Sequence, residues 1–301
     1  MRLLTLLAFV ALCAADLQAQ AEWPKPNWEK VERVGCRRAG RAVASPIGAY
    51  QVRLVAGSRP DISNSKINNS QNKDSQNNDS GCRAYLVDRS GNETLLLEDS
   101  EVSIYQGTGE DVFGDGNPSL ILEGYSGGEH CCYTYEIASL GEKPVILPPI
   151  KNQAPFFFFK DPASGQFRIM TSDGAFASFE GLCQACTPFP RVVLQMEAAG
   201  LRDVSPQFVE QYDSEIALAR AKIAEGDIGK FLVADFQDAR KVVLEIVFAY
   251  LYSGREGEAW RALDEMWPAG DRERIKKLIL QTKARGILST LRTRPALPYT
   301  H

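Results

Sequence analysis

The chain has 301 residues, 44% hydrophobic and 24% charged, an ordinary globular composition long enough for two domains and able to bury a core. Its formal charge of -4 and isoelectric point near 5.5 give no general attraction for phosphate backbones or anionic lipid, so nucleic acid is not an expected partner. Histidine is limited to His130 and His301, and no P-loop, dinucleotide-binding or nucleophile-elbow pattern is present, which leaves little room for the common hydrolase and nucleotide-dependent chemistries.

Residues 1–21 place one basic residue, Arg2, before an apolar run from Leu3 to Ala15, and end in the small-residue stretch Ala19-Gln20-Ala21. That order predicts a cleaved secretory signal peptide, too short to stay as a membrane span, with Glu22 at the mature start. Leu12 stands where lipid attachment to Cys13 would need a small residue. No later apolar stretch approaches about 18 residues, so the mature protein is expected to be soluble and periplasmic or secreted, with no membrane span. Loss of Cys13 leaves Cys36, Cys82, Cys131, Cys132, Cys183 and Cys186, an even set that in an exported chain points to disulfides.

From residue 22 to 203 the pattern is that of short strands. Ala49–Ala56, Cys82–Asp88, Glu93–Asp99, Ser119–Gly124, Cys132–Ala138, Phe167–Thr171 and Arg191–Glu197 are brief, rich in β-branched or aromatic residues, and separated by Gly, Pro, Asn or Asp. They predict a disulfide-stapled antiparallel β domain, with Arg89-Ser90-Gly91-Asn92 as a hairpin turn. The Asn-rich tract 62–81 offers almost nothing to bury and reads as a loop between two strands. Phe156–Phe159 reads as a buried strand.

At Ser205 the hydrophobic period changes to that of helices. Ser205-Pro206 supplies a capping hydroxyl and a proline for the first turn, and Phe208, Tyr212 and Ile216 share the face that follows. A second helix runs from about Ala239 to Ser253 and is apolar nearly all round, the mark of a central helix. A third carries Ala259, Trp260, Leu263, Met266 and Trp267 on one face, and a fourth starts after Asp271 with Ile275, Leu278 and Ile279. The expected fold class is therefore α+β with the two kinds segregated: an antiparallel β domain, a small all-α domain over 204–293, and a frayed tail over 294–301.

Tyr250, Gly254 and Ala259 stand at the relative offsets of a tetratricopeptide hairpin: an aromatic residue in the first helix, glycine at the turn and a small residue where the helices touch. Val243 to Lys276 resembles one such repeat. The resemblance implies a scaffold that binds peptides or partner proteins, so a protein partner is expected at the helical domain. The Arg272, Arg274, Lys276 and Lys277 cluster reads as a solvated face that an acidic partner can meet.

Upstream, Asp111-Val112-Phe113-Gly114-Asp115-Gly116 has the start of an oxygen-ligand loop, with acidic residues at positions one and five and glycine at six. With Pro118 and the later Gly127, Gly128, His130, Cys131 and Cys132, this stretch resembles the FG-GAP (integrin alpha-type) repeats of secreted bacterial proteins. A second, weaker copy begins at Asp161. The resemblance implies propeller-blade-like β structure and a calcium loop using Asp111 and Asp115. Phe113 and Ser119 depart from the family's acidic positions. The implied site is therefore weak, at about 10⁻⁴ to 10⁻³ M, and calcium is the sole cofactor suggested.

Adjacent strand residues point to opposite faces, so Cys131 and Cys132 cannot both reach the Cys183/Cys186 turn from a regular strand. Two arrangements stay open: Cys36 with Cys82, Cys131 with Cys132 and Cys183 with Cys186, or a cross-link from one of Cys131/Cys132 to the second pair. The functional alternatives are a soft-metal site made of His130, Cys131, Cys132, Cys183 and Cys186, which an oxidising compartment opposes, and a thiol-disulfide enzyme using Cys183-Gln184-Ala185-Cys186. Catalytic cysteines of the second kind normally open a helix in a βαβ unit, whereas β-like runs and prolines surround these. The sequence thus points to an exported, non-catalytic binding protein recognising a protein or a surface polymer, with a metal or redox protein as the competing class.

Overall fold

The computed structural model describes residues 21–25, 34–36, 43–58, 80–105, 107–127, 132–183, 186–197, 200–225, 236–291 and 297–298. The expected signal peptide but for Ala21, all of the Asn-rich tract but Ser80 and Gly81, His130, Cys131 and most of the expected tail lie outside these residues. Antiparallel sheets come first and helices follow, so mixed α and β content in that order is what the chain adopts.

Fifteen strands are described: β1 Val34–Gly35, β2 Val43–Ile47, β3 Tyr50–Ser58, β4 Ser80–Val87, β5 Glu93–Asp99, β6 Glu101–Ile104, β7 Ser119–Tyr125, β8 Tyr133–Ser139, β9 Val145–Ile146, β10 Ile150–Asn152, β11 Phe157–Lys160, β12 Phe167–Ser172, β13 Arg191–Glu197, β14 Gly200–Asp203 and β15 Leu297–Pro298. They form three antiparallel sheets with orders β2-β3-β4-β5, β1-β6-β7-β8-β9-β15 and β11-β12-β13-β14, and β10 pairs with β8 beside β9. Among the described residues no sheet is closed, and nothing in this topology indicates a propeller.

Local chemistry explains the joints. The β4–β5 hairpin turns at Gly91 (φ +83°), where a side chain would be strained. Asp88 Oδ1 accepts the N–H groups of Ser90 (2.8 Å) and Asn92 (2.9 Å). The outer edge of β8 is shared: Tyr133–Tyr135 pair with β10, and Ala138–Ser139 with β9. Pro148 and Pro149 fall between β9 and β10, where they have no N–H to give a continuous ladder.

The β2–β5 sheet packs its inward residues Val52, Leu54, Ala84, Leu86 and Leu97 against Val102, Ile104, Leu120, Leu122, Ala138 and Leu140 of the second sheet. Every residue of β7 but Tyr125 is buried, so this strand is covered on both faces. Cys36 and Cys82 are fully buried in that core and are joined in a disulfide, with Cα atoms 6.1 Å apart.

Five helices are described: α1 Val209–Glu225, α2 Phe236–Tyr252, α3 Glu256–Met266, α4 Arg272–Lys283 and α5 Ile287–Leu291. A 3-10 turn at Ser205–Gln207 leads into α1, whose inner face is Tyr212, Ile216 and Ala219, with Phe208 just before it. Trp23 stacks on Phe208 (6.2 Å) and meets Tyr212 edge-on (4.9 Å). Helix α2 packs against both α1 and α3. The turn into α3 passes through Gly254 at φ +81°, and Ala259 is fully buried.

The chain groups into two compact units, 1–25 with 205–276 and 26–204 with 277–301. The β unit is therefore discontinuous, and its C-terminal piece is secured at a buried carboxylate. Asp173 Oδ1 accepts the N–H of Ala175 (3.1 Å) in a 3-10 turn and the N–H of Ile287 (3.2 Å) at the start of α5.

Candidate functional site

Tyr125 and Tyr133 sit directly opposite each other on β7 and β8, and Glu101 pairs with Tyr125 from β6. One row deeper, Ser103, Glu123 and Tyr135 line up across the same three strands, followed by Ile150 of β10. Side chains two residues apart on a strand share a face, so these rows build one aromatic surface with two carboxylates in it.

The surface grades from buried to half-buried. Tyr135 is fully buried and stacks on Phe156 with centroids 4.1 Å apart and planes 4° from parallel. Its hydroxyl donates to Glu123 Oε2 (2.6 Å) and accepts the Phe156 N–H (2.8 Å), while the Tyr105 hydroxyl donates to the Phe156 carbonyl (2.8 Å). Burial, and then the neighbouring Glu123 carboxylate, push the Tyr135 phenol well above its ordinary range, so it remains a neutral donor. Outward from this anchor, Tyr133 lies 6.3 Å from Tyr135, and Tyr125 lies 5.3 Å from Tyr133. Tyr125, Tyr133 and Glu101 are half-buried. The arrangement can hold an apolar or ring-shaped ligand face against tyrosine, with a carboxylate at the rim to accept a hydrogen bond.

The opposite face of β8 carries a different anomaly. Glu136 is 4% exposed, its Oε2 has no hydrogen-bond partner, and burial alone pushes its pKa up to about 8. It lies across from Leu122 and two residues along β8, on the same face, from the core residue Ala138, so it is a neutral acid in an apolar seam.

The Asp111 loop turns through Gly114 (φ +72°) and Gly116 (φ +83°). Asp111 accepts the N–H groups of Gly114 (2.7 Å), Asp115 (3.1 Å) and Gly116 (2.8 Å). Asp115 accepts the Asn117 N–H (3.0 Å) and the Ser139 hydroxyl (2.6 Å). Burial works to raise the Asp115 pKa, but the Ser139 and Asn117 hydrogen bonds outweigh it and hold the group below the usual carboxylate range. Both carboxylates therefore organise the turn that launches β7. Asp161 does the same between β11 and β12, accepting the Ala163 N–H (3.1 Å) and the Ser164 hydroxyl (2.5 Å).

Cys183 and Cys186 are joined in a disulfide with Cα atoms 4.9 Å apart, so neither is cross-linked to Cys131 or Cys132. Cys132 is also disulfide-bonded. It closes the β7–β8 connection beside the tyrosine rows, its N–H donating to Ser126 Oγ (3.1 Å) and its carbonyl accepting the Ser126 N–H (3.2 Å). Thiolates, not disulfides, ligate metals, so three of the five candidate soft ligands are in the wrong oxidation state for that role. Among the described residues no group of three or more His, Cys, Asp or Glu side chains is placed to hold a metal ion, and His130 and Cys131 lie outside those residues.

The basic cluster on α4 is largely engaged locally. Arg274 pairs with Asp271 (2.5 Å), Arg272 donates to the Trp267 carbonyl (2.8 Å), and Lys276 sits 4.9 Å from the centre of the Trp260 ring. Elsewhere, an open cavity of about 340 Å³ lies between the Pro148-Pro149 turn, β14 and α5, and its described lining offers one ionisable side chain, Lys151.

No family model matches this chain, and neither a characterised protein nor a solved structure is detectably similar to it.

The tyrosine rows were not singled out from sequence as a site. Their signal is local nonetheless: Glu123 and Tyr125, and Tyr133 and Tyr135, repeat at the strand period of two. Phe156, expected within a buried strand, sits just before β11 as the anchor of the surface.

Proposed function

We propose that this is an exported, non-catalytic binding protein whose principal contact surface is the Tyr125/Tyr133 row, and that its partner is another protein. The observation that carries this reading is the continuity from the hydrogen-bonded Tyr135–Phe156 stack to half-buried Tyr133 and Tyr125. Tyrosines held on rigid strands supply contact area at little entropic cost and keep a polar tip for water or a partner. Export is supported by the apolar N-terminal run of the sequence and by two cysteine pairs at disulfide distance. No helix among the described residues is long and apolar enough to cross a membrane. The α2–α3 hairpin, with its likeness to a tetratricopeptide repeat, is a second contact surface in this reading. The likeness of the Asp111 loop to FG-GAP repeats fits a binding role without chemistry, with calcium as an optional stabiliser of that turn.

The test compares wild type with the Tyr125→Ser/Tyr133→Ser double variant, each immobilised and exposed separately to the exported proteins and to purified envelope polysaccharide of the source cell. A retained protein that the double variant holds at least about tenfold more weakly supports the reading, since that factor is about 1.4 kcal/mol, within the range of one lost aromatic contact. Polysaccharide retained in its place makes the partner a surface polymer. Equal retention by both proteins removes the tyrosine row as the contact surface.

A further inference from the structure

The Cys183–Cys186 turn and the Cys36–Cys82 bond are opposite in setting. Cys36 and Cys82 are fully buried in the β core, whereas Cys183 is exposed and Cys186 half-buried, on the connection between β12 and β13. That connection is closed at its base by the Asp173 N–H donating to the Pro190 carbonyl (2.8 Å) and is rooted by buried Phe176, Phe179, Leu182 and Thr187.

Three hydrogen bonds hold the turn independently of its sulfur bridge. The Cys183 carbonyl accepts the N–H of Cys186 (2.8 Å), the N–H of Thr187 (2.9 Å) and the Thr187 hydroxyl (3.0 Å). None of the three involves a sulfur atom, so opening the disulfide breaks none of them directly. The Cys186 N–H also points at Cys183 Sγ, 3.1 Å away. A backbone donor there stabilises negative charge on that sulfur, the service a helix N-terminus gives to reactive cysteines elsewhere.

We propose that Cys183–Cys186 is a thiol-disulfide exchange site, with Cys183 as the sulfur that meets the partner and Cys186 as the resolving cysteine, and that its substrate class is a pair of cysteine thiols on another polypeptide. This activity is separate from binding at the tyrosine row. The exchange runs as two displacements. A partner thiolate attacks exposed Cys183 Sγ, the Cys183–Cys186 bond breaks, and Cys186 leaves as a thiolate that takes up a proton. The partner's second thiolate then attacks the partner sulfur of the mixed disulfide, and Cys183 leaves as the thiolate that the Cys186 N–H stabilises. Two electrons pass from the partner dithiol, which becomes a disulfide, to the Cys183/Cys186 pair; of the two protons the dithiol loses, one is taken up by Cys186 and the other goes to solvent while Cys183 stays a thiolate, and the reverse sequence reduces a partner disulfide.

The full-length oxidised protein is equilibrated without denaturant in glutathione buffers of graded reduced-to-oxidised ratio, alkylated and mapped by mass. The expected result is that the Cys183/Cys186 peptide titrates to the dithiol and back while Cys36–Cys82 stays closed. In parallel, Cys186→Ser and Cys183→Ser, each checked for cooperative unfolding, are mixed with oxidised glutathione. Cys183 in the first variant is expected to form the mixed disulfide at least about tenfold faster than Cys186 in the second, in line with its exposure and its N–H donor. A reduced peptide with two cysteines two residues apart is then expected to be oxidised stoichiometrically by the wild type. Reduction only in denaturant, equal rates in the two variants, or no oxidation of the dithiol peptide each overturns the assignment and leaves the pair as a structural staple.

Discussion

Asp173 Oδ1 accepts the backbone N–H of Ile287, 114 residues away, at 3.2 Å. The carboxylate is fully buried and also caps the 3-10 turn through Ala175, so one side chain fixes two chain segments. Beside it, Gly286 leaves no space for a β-carbon without displacing that carboxylate. Asp173→Ala takes the acceptor from the buried Ile287 N–H and from the part-buried Ala175 N–H, and is expected to cost about 1–3 kcal/mol, with Asp173→Asn costing less. Gly286→Ala is expected to destabilise comparably. Chemical denaturation of each variant, read by far-ultraviolet circular dichroism, checks both, and an unchanged midpoint in Gly286→Ala contradicts the close approach.

Glu136 predicts an alkaline loss of stability. Its folded pKa of about 8 lies above the ordinary carboxylate value, so between about pH 4.5 and 8 the unfolded chain has lost a proton that the folded protein keeps. Over that window its contribution falls by about 1.4 kcal/mol per pH unit as pH rises, and is level above the folded pKa. Glu136→Gln removes the titration. Unfolding free energies from pH 5 to 9 are expected to fall more steeply for wild type than for the variant, and parallel curves disprove the assignment.

The Tyr135 hydroxyl serves two buried partners, the Glu123 carboxylate and the Phe156 N–H. Tyr135→Phe keeps the ring stack but removes the donor from one and the acceptor from the other. A cost of about 1–3 kcal/mol is expected, because two buried polar groups each lose a hydrogen bond at once. Glu123→Gln in the same background tests the origin of the loss. Recovery of stability in the double variant locates the penalty on the Glu123 carboxylate, and strict additivity excludes it.

Cys36 and Cys82 are 46 residues apart in sequence and close a loop that includes the whole Asn-rich tract. On the chain-entropy estimate their bond stabilises the β unit by about 4 kcal/mol. Cys36→Ala/Cys82→Ala is expected to lower the denaturation midpoint accordingly. Shortening the tract by half in the bonded protein is expected to change it by well under 1 kcal/mol, since closure entropy grows only logarithmically with length.

The elements with a strong local signal were readable in advance. Strands β5 and β13 fall where alternation and flanking turn residues put them, and the helix face Phe208, Tyr212 and Ile216 is buried as its spacing requires. Strands β10 and β14 were missed: at three and four residues, beside Pro148-Pro149 and Gly200, they owe their form to pairing with β8 and β13 rather than to propensity. Glu136 sits in a stretch whose alternation suggests one wet face, yet β8 lies in a sheet whose face toward β2–β5 is sealed, which only the sheet packing discloses. Of the candidate site residues, Cys36–Cys82 and Cys183–Cys186 pair as one of the two sequence arrangements had them. The roles of Asp173 and Tyr135 depend on partners 114 and 21 residues away, and no local pattern encodes them.

The division of the β unit by the helices has a consequence for timing. A chain that emerges from its N-terminus presents β1 to β14 long before Gly286 and Ile287 arrive at Asp173. Through that interval the Asp173 carboxylate lacks the Ile287 N–H, and the β unit waits, incomplete, while helices α1 to α4 are made. The β unit thus reaches its final stability only once Gly286 and Ile287 have been made, after the helices that divide it.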